Sequence, residues 1–368
     1  MKKRIILIII AILITVLGVA LVSYFYFKGK GNTNTNTNTN TNTNTTNTNE
    51  ITLKESYEIT KGGTYTFTGS IKDGSITVNT PDGVKIILNS VEINNTKGPA
   101  INIISNGDVE IELVGDNKLS DGSSYEDTEL DGCINSKADL KITGDGSLSI
   151  IANYKDGIVS KDDLEILGGT INVTSADDGI KGKDSVVIEK AIITINSGGS
   201  GIKSTNDEDT TKGYIEIKSG TFTINAVDNG IKSITKLTIN GGTFNIRAAE
   251  GLESTYIVIN DGETTISASD DGINASAKST YMTPTIEING GKIDITMDQG
   301  DTDALDSNGN LYINNGEITI NAQSPFDYDN EGKLNGGTVI VNGEQVSELT
   351  NQFMGGPGGP NGGQPPRW

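Results

Sequence analysis

The chain has 368 residues, among them 46 Gly, one Cys and no His, and a formal net charge of −20. Without His, imidazole is excluded from catalysis and from metal binding, so a bound metal must be held by oxygen, which favours Ca²⁺ over zinc. Lys2, Lys3, Arg4, Lys28 and Lys30 all lie before residue 31; without them 23 bases face 48 acids. A body near −25 repels nucleic acid and anionic lipid and attracts cations.

In chain order, residues 1–30 read as a membrane anchor or signal. Ile5–Phe27 is an uncharged run of 23 residues, long enough to span a bilayer as one N-terminal helix. The basic N-terminus is expected to stay cytoplasmic, which places the rest on the outer face of the plasma membrane, or secreted if Gly18-Val19-Ala20 is cleaved. Residues 31–50 are almost pure Asn-Thr and read as a low-complexity linker. Residues 344–368 form a Gly/Pro-rich tail equally unable to pack. Cys133 has no partner for a disulfide.

Residues 51–343 repeat. Gly157-Ile158, Gly179-Ile180, Gly201-Ile202, Gly230-Ile231, Gly251-Leu252 and Gly272-Ile273 follow one another at 22, 22, 29, 21 and 21 residues. Cys133-Ile134 and Ala304-Leu305 are looser members. Each pair leads into an apolar-polar-apolar strand such as Leu164-Glu165-Ile166, then a turn and a third strand, as in Gly241-Gly242-Thr243-Phe244-Asn245-Ile246. Three short strands per period of about 22 residues predict an all-β, single-stranded parallel β-helix. Crossover chirality makes it right-handed. Roughly ten coils at ~4.8 Å give a rod near 50 Å. Insertions are expected at 116–129, 205–212 and 275–285, the last two on one face. A monomer is expected.

The residue before each Gly-Ile pair reads Asp156, Asp178, Ser200, Asn229, Glu250, Asp271 and Asp303, with Asp177, Asp228 and Asp270 beside it. Stacked carboxylates ~4.8 Å apart repel by roughly 3.5 kcal/mol at an effective dielectric near 20. Asp-Gly also favours turns, but doubled acids exceed what a turn needs. Asp298, Asp301, Asp303 and Asp306, closed by Asn308-Gly309, add a second cluster, and Asp327 and Asp329 follow one coil on. The candidate metal ligands are therefore Asp177, Asp178, Asp228, Glu250, Asp270, Asp271, Asp298, Asp301, Asp303, Asp306, Asp327 and Asp329. A lyase would need a base, and Arg247 is the one arginine in the repeat region; a simpler role is pairing with nearby acids. Tyr125 and Tyr281, both in insertions, are the candidates for sugar stacking. Tyr65 and Phe67 are expected to cap the N-terminal end.

The Asp-Gly-Ile units, the Gly-Gly-Thr strands, Asp303-Ala304-Leu305-Asp306-Ser307-Asn308-Gly309, Phe326-Asp327-Tyr328-Asp329 and the Gly/Pro tail resemble one bacterial cell-surface family, the carbohydrate-binding domain-containing proteins, over residues 51–343. The resemblance implies a β-helix of pectate-lyase type with bound calcium that binds cellulose and polygalacturonate without established catalysis. The expected function is cell-surface binding of acidic, pectin-like polysaccharide through calcium-bridged carboxylates, with cellulose as a further ligand. Two alternatives remain open: a calcium-dependent, pectate-lyase-like enzyme, and a surface adhesin or spacer without sugar binding.

Overall fold

The computed structural model describes residues 48–300 and 302–351. They form 36 strands, and no helix among them is long and apolar enough to cross a membrane. The predicted span over residues 5–27 lies outside the described residues, as do most of the Asn/Thr linker and the tail beyond 351.

Each coil makes three strands. In one of them Asp156–Ser160 is followed by Asp163–Ile166 and Thr170–Ser175 before the chain returns to Ile180–Gly182, one coil on. Strands three apart in sequence pair in parallel: Ile158 with Ile180, Leu164 with Val186, Ile171 with Ile193. Three columns result: sheet I holds Asp163–Ile166 and its register partners, sheet II Thr170–Ser175 and its partners, and sheet III Asp156–Ser160 and its partners. Sheet III, which holds the Gly-Ile strands, has 12 members. Sheets I and II join into one 24-stranded assembly, because Gly63–Ile71 and Val84–Asn94 each run through both. Twelve sheet III strands exceed the ten coils expected, since the N-terminal coils Tyr57–Ile59, Ile76–Val78 and Ile101–Ile103 lack the Gly-Ile signature.

Side-chain alternation drives the strands. In Thr170–Ser175, Ile171, Val173 and Ser175 point inward and are buried while Asn172 and Thr174 are exposed. Equivalent apolar residues stack: Ile158, Ile180, Ile202, Ile231, Leu252, Ile273, Leu305 and Phe326 are successive register partners. All eight are buried, each worth roughly 1.5–3 kcal/mol. Tyr65 and Phe67 are buried in the first coils, with Tyr57 against Phe67 at 5.3 Å.

The Gly of the repeat is not a turn glycine. Gly157, Gly179, Gly201, Gly230, Gly251 and Gly272 are absent from the positive-φ positions and lie where the backbone enters sheet III. A Cβ on Gly230 would sit 2.3 Å from Ile246 Cγ2 and 2.5 Å from the Gly251 carbonyl oxygen. Close approach of neighbouring coils explains this glycine.

Two insertions fall where expected. The connections Thr205–Gly213 and Ser276–Pro284 both join sheet III to sheet I, three coils apart. The third differs, because Asp116–Ser120 is a sheet II strand paired with Ser147–Ile151, which leaves residues 121–131 as the loop. At the C-terminal end Glu344–Val346 pairs antiparallel with Thr338–Val341, so the ladder extends past residue 343.

Candidate acidic ladder on sheet III

Two rows of side chains emerge at the edge of sheet III. One precedes the Gly of each repeat. The other follows the Ile and reads, through successive register partners, Val159, Lys181, Lys203, Lys232, Glu253, Asn274, Asp306 and Asp327. The second row changes sign halfway along.

In the N-terminal half the protein supplies its own cations. Asp156 is fully buried and ion-paired with Lys181, and its Oδ1 accepts the Asp178 N–H at 3.0 Å. Burial pushes its carboxyl up to about 6, against the pull of Lys181. Asp178 accepts the Ser200 N–H at 2.9 Å and binds Lys203 Nζ at 3.0 Å. Asp131 holds Lys155 and Lys161. Asp156, Asp177 and Asp178 offer oxygens within 4.8 Å of one another, with the ammonium groups of Lys181 and Lys203 against Asp156 and Asp178.

In the C-terminal half the lysines run out. Glu253 is buried and takes both Lys232 and Lys278 at 2.5 Å, with Asn229 and Ser276 as further donors. Beyond it the carboxylates of Glu250, Asp270 and Asp271 converge within 4.8 Å. Burial, then Glu253 and Asp271, pushes Glu250 up to about 7. Burial, then Asp306 and Asp270, does the same to Asp271. Asp306 also reaches about 7, through burial and its neighbours Asp303, Asp327 and Asp329. Asp327 is raised by burial and by Asp329. Asn274 donates to Asp271 Oδ2 at 2.9 Å, yet its own Oδ1 is buried with no hydrogen-bond partner. Three converging carboxylates, one of them bonded by an amide whose own oxygen has no partner, offer the hard oxygens that Ca²⁺ takes.

The other candidates scatter. Asp303 receives the Ser324 hydroxyl and stacks on Asp271. Asp228 is exposed and belongs to no acidic cluster among the described residues. Asp298 is exposed and lines a small hollow with Arg247, Val227 and Ser269. Asp301 lies outside the described residues. Arg247 makes no ion pair among the described residues and stands on the outer face of sheet II, in register with Asn225 and Ser267. A third acidic group, Asp139, Asp162 and Asp163, was not anticipated; Asp163 accepts Ser185 Oγ at 2.6 Å.

Of the two tyrosines, Tyr281 is 68% exposed. Tyr125 is buried: its hydroxyl donates to Asp121 Oδ2 at 2.5 Å and its ring packs on Tyr154 at 4.4 Å. It fastens the 121–131 loop and is not open to a sugar. The lysine row was missed, although Gly179-Ile180-Lys181, Gly201-Ile202-Lys203 and Gly230-Ile231-Lys232 display it in the sequence. A groove of ≈ 610 Å³ also runs along the N-terminal part of sheet I, from Lys85 to Tyr214.

Comparison with known proteins gives a consistent picture. The model of the family described as carbohydrate-binding domain-containing protein matches residues 54–256 and 250–351. A protein of that description from Acetivibrio thermocellus is 41% identical over 125 residues, 32% of this chain and 44% of the relative, so the match spans under half of that relative. The solved structure of the polysaccharide lyase-like protein from C. thermocellum, a gadolinium derivative, is 33% identical with a TM-score of 0.50, covering 58% of this chain and 85% of that one.

Proposed function

Starting from the chain's membership of the carbohydrate-binding domain-containing protein family, we propose that it binds acidic polysaccharide of the pectin type at the outer cell surface, through cations on the C-terminal half of the sheet III ladder, without catalysis. The observation that carries this reading is the set Glu250, Asp270 and Asp271 with the unpartnered Asn274 Oδ1, in a row whose lysines have stopped. Those groups, extended by Asp306, would hold Ca²⁺. The ion supplies a bridge between protein carboxylates and the carboxylates of a polyanion, which a body near −25 would otherwise repel. The similar polysaccharide lyase-like protein was obtained as a gadolinium derivative, and gadolinium is also a hard, oxygen-seeking cation.

An eliminating lyase places a base beside the metal-bound carboxylate. Arg247, the base such a reading needs, stands on sheet II and not in the sheet III ladder, which favours binding over elimination.

Calorimetric titration with polygalacturonate, in calcium and then in EDTA, tests the proposal while ultraviolet absorbance reports any unsaturated product. Affinity that requires calcium and yields no product is the expected result. Absorbing product points to the lyase, and no affinity in either condition points to a structural spacer.

A further inference from the structure

The outer face of sheet II is nearly bare of charge. On the five strands Ser147–Ala152, Thr170–Ser175, Ala191–Ser197, Gly220–Ala226 and Thr243–Ala248 the outward side chains form three rows. Through successive register partners the first row runs from Ser147 to Thr243, the second from Ser149 to Asn245 and the third from Ile151 to Arg247. Every position in them is Ser, Thr, Asn or Ile except Arg247. Sheet I, by contrast, alternates Lys85, Glu110, Lys141 and Glu165 along one outward row, and sheet III carries the acidic ladder. With 48 acids against 23 bases in the body, two copies repel one another least through a face that holds no acid.

The same face shows apolar surface to solvent. Ile151 and Ile192 stand on it 53% and 51% exposed, and the exposed Val227 borders it just after Gly220–Ala226.

The face is also self-complementary. Ile192 projects from the first row. At the same level but ~13 Å across the sheet, the third row opens a hollow of ≈ 420 Å³ lined by Asn196, Asn225, Val227 and Arg247. A two-fold axis laid along the middle row exchanges the first and third rows of two facing copies and keeps every coil at its own level. Ile192 of each copy then meets Asn196 of the other, at the mouth of the hollow that Val227 walls. The same operation sets Arg247, which makes no ion pair among the described residues, over Thr243 of the second copy. There it lies one coil from Glu263, the register partner of Thr243. Each contact is made twice, as an isologous interface requires.

Five strands at ~4.8 Å by six residues at ~3.3 Å cover ~480 Å² on each copy, or ~1,000 Å² in all, the lower limit for specific association. The two copies point their N-termini the same way, as an anchor expected over residues 5–27 would require of neighbours in one membrane.

We infer that the outer face of sheet II between Ser147 and Arg247 is a homodimer interface, on which a second copy of the chain docks side by side with its solenoid axis parallel. The sequence-based expectation of a monomer then describes the dissociated state at low concentration. The inference uses neither the acidic ladder nor any ligand of it.

Sedimentation equilibrium of the full chain in density-matched detergent, over ~1–500 µM, tests it. A reversible monomer–dimer equilibrium with a Kd on the order of 10–100 µM is expected. Ile192→Glu should weaken the dimer at least ~10-fold with an unchanged melting temperature. Arg247→Glu should weaken it ~5-fold, and adding Glu263→Arg should bring it back to within ~2-fold of the parent. Because the middle row lies on the axis, Thr194→Cys should give an interchain disulfide on treatment with diamide, while Thr238→Cys, on the outer face of sheet I, should not. Cys133 is buried and stays silent. Should the charged variants fail to fold, the two cysteine variants decide. The inference is overturned if the parent remains monomeric at ~500 µM, or if folded Ile192→Glu associates like the parent, as it would through the anchor alone. It is equally overturned if the Arg247–Glu263 exchange restores nothing, or if Thr238→Cys cross-links as readily as Thr194→Cys.

Discussion

The two halves of the sheet III ladder carry similar acids and solve their repulsion differently. From Asp131 to Asp178 each buried or half-buried carboxylate has an ammonium group of the same chain against it. Among the described residues from Glu250 to Asp327, Glu253 takes two ammonium groups, while Glu250, Asp271 and Asp306 press on one another. One half is closed by lysine; the other is the half proposed above to take an external cation. On that proposal the same backbone yields a structural ladder or a binding ladder according to one row of residues.

The largest effect should come from opening the closed half. Lys181→Met strands Asp156, which is fully buried, and removing one partner of a buried pair costs about 3–5 kcal/mol. Chemical denaturation measures it, and adding Asp156→Asn should recover much of the loss. If Lys181→Met is neutral, lysine does not close the ladder.

The ladder should also respond to pH, with Asp156, pushed up to about 6 by burial, sharing the sign of the open half and Asp131 opposing it. Glu250, Asp271 and Asp306 titrate near 7 when folded and near 4 when unfolded. Between those values the folded state binds more protons, so stability falls as pH rises. In EDTA the melting temperature should therefore climb as pH is lowered from about 7.5 to 5, by about 2 kcal/mol in stability once solvent screening is allowed for. Saturating calcium should flatten the slope. Asp131 has the contrary sign: its pKa is lowered despite burial, by Lys155 and Lys161, so its contribution disappears only in acid, below about pH 4.

Smaller effects sharpen the contrast. Glu250→Gln with Asp271→Asn should stabilise the protein in EDTA by about 1–2 kcal/mol, through relief of like-charge repulsion, and remove the rise in melting temperature that calcium gives the parent. Asn274→Lys transplants the lysine of the closed half into the open one. It should raise stability in EDTA by about 1 kcal/mol and weaken calcium affinity measured by calorimetry. Unchanged calcium affinity would show that the ion sits elsewhere.

The period, the three-strand coil and the Ile stack were readable because a parallel β-helix repeats its burial pattern in every turn, and Gly-Ile marks sheet III directly. The N-terminal coils were not, since nothing at Ile76 or Ile101 announces the strand except alternation. Asp270 and Asp271 were legible as candidate ligands from their doubling, and they converge with Glu250. Asn274 was not, because its orphaned oxygen follows from packing. Tyr125 misled because a loop position suggests exposure, yet Asp121 draws the hydroxyl inward.

The reversed strand Glu344–Val346 has a consequence for assembly. A β-helix that stopped at Thr338–Val341 would present a parallel edge able to template the first coil of another copy, and rods would grow end to end. Turning the chain back antiparallel gives that edge the wrong polarity for such growth and sets Glu344 at its start, a guard against open-ended fibres. A rod built by repetition needs its last strands covered, and these three residues cover that of sheet II.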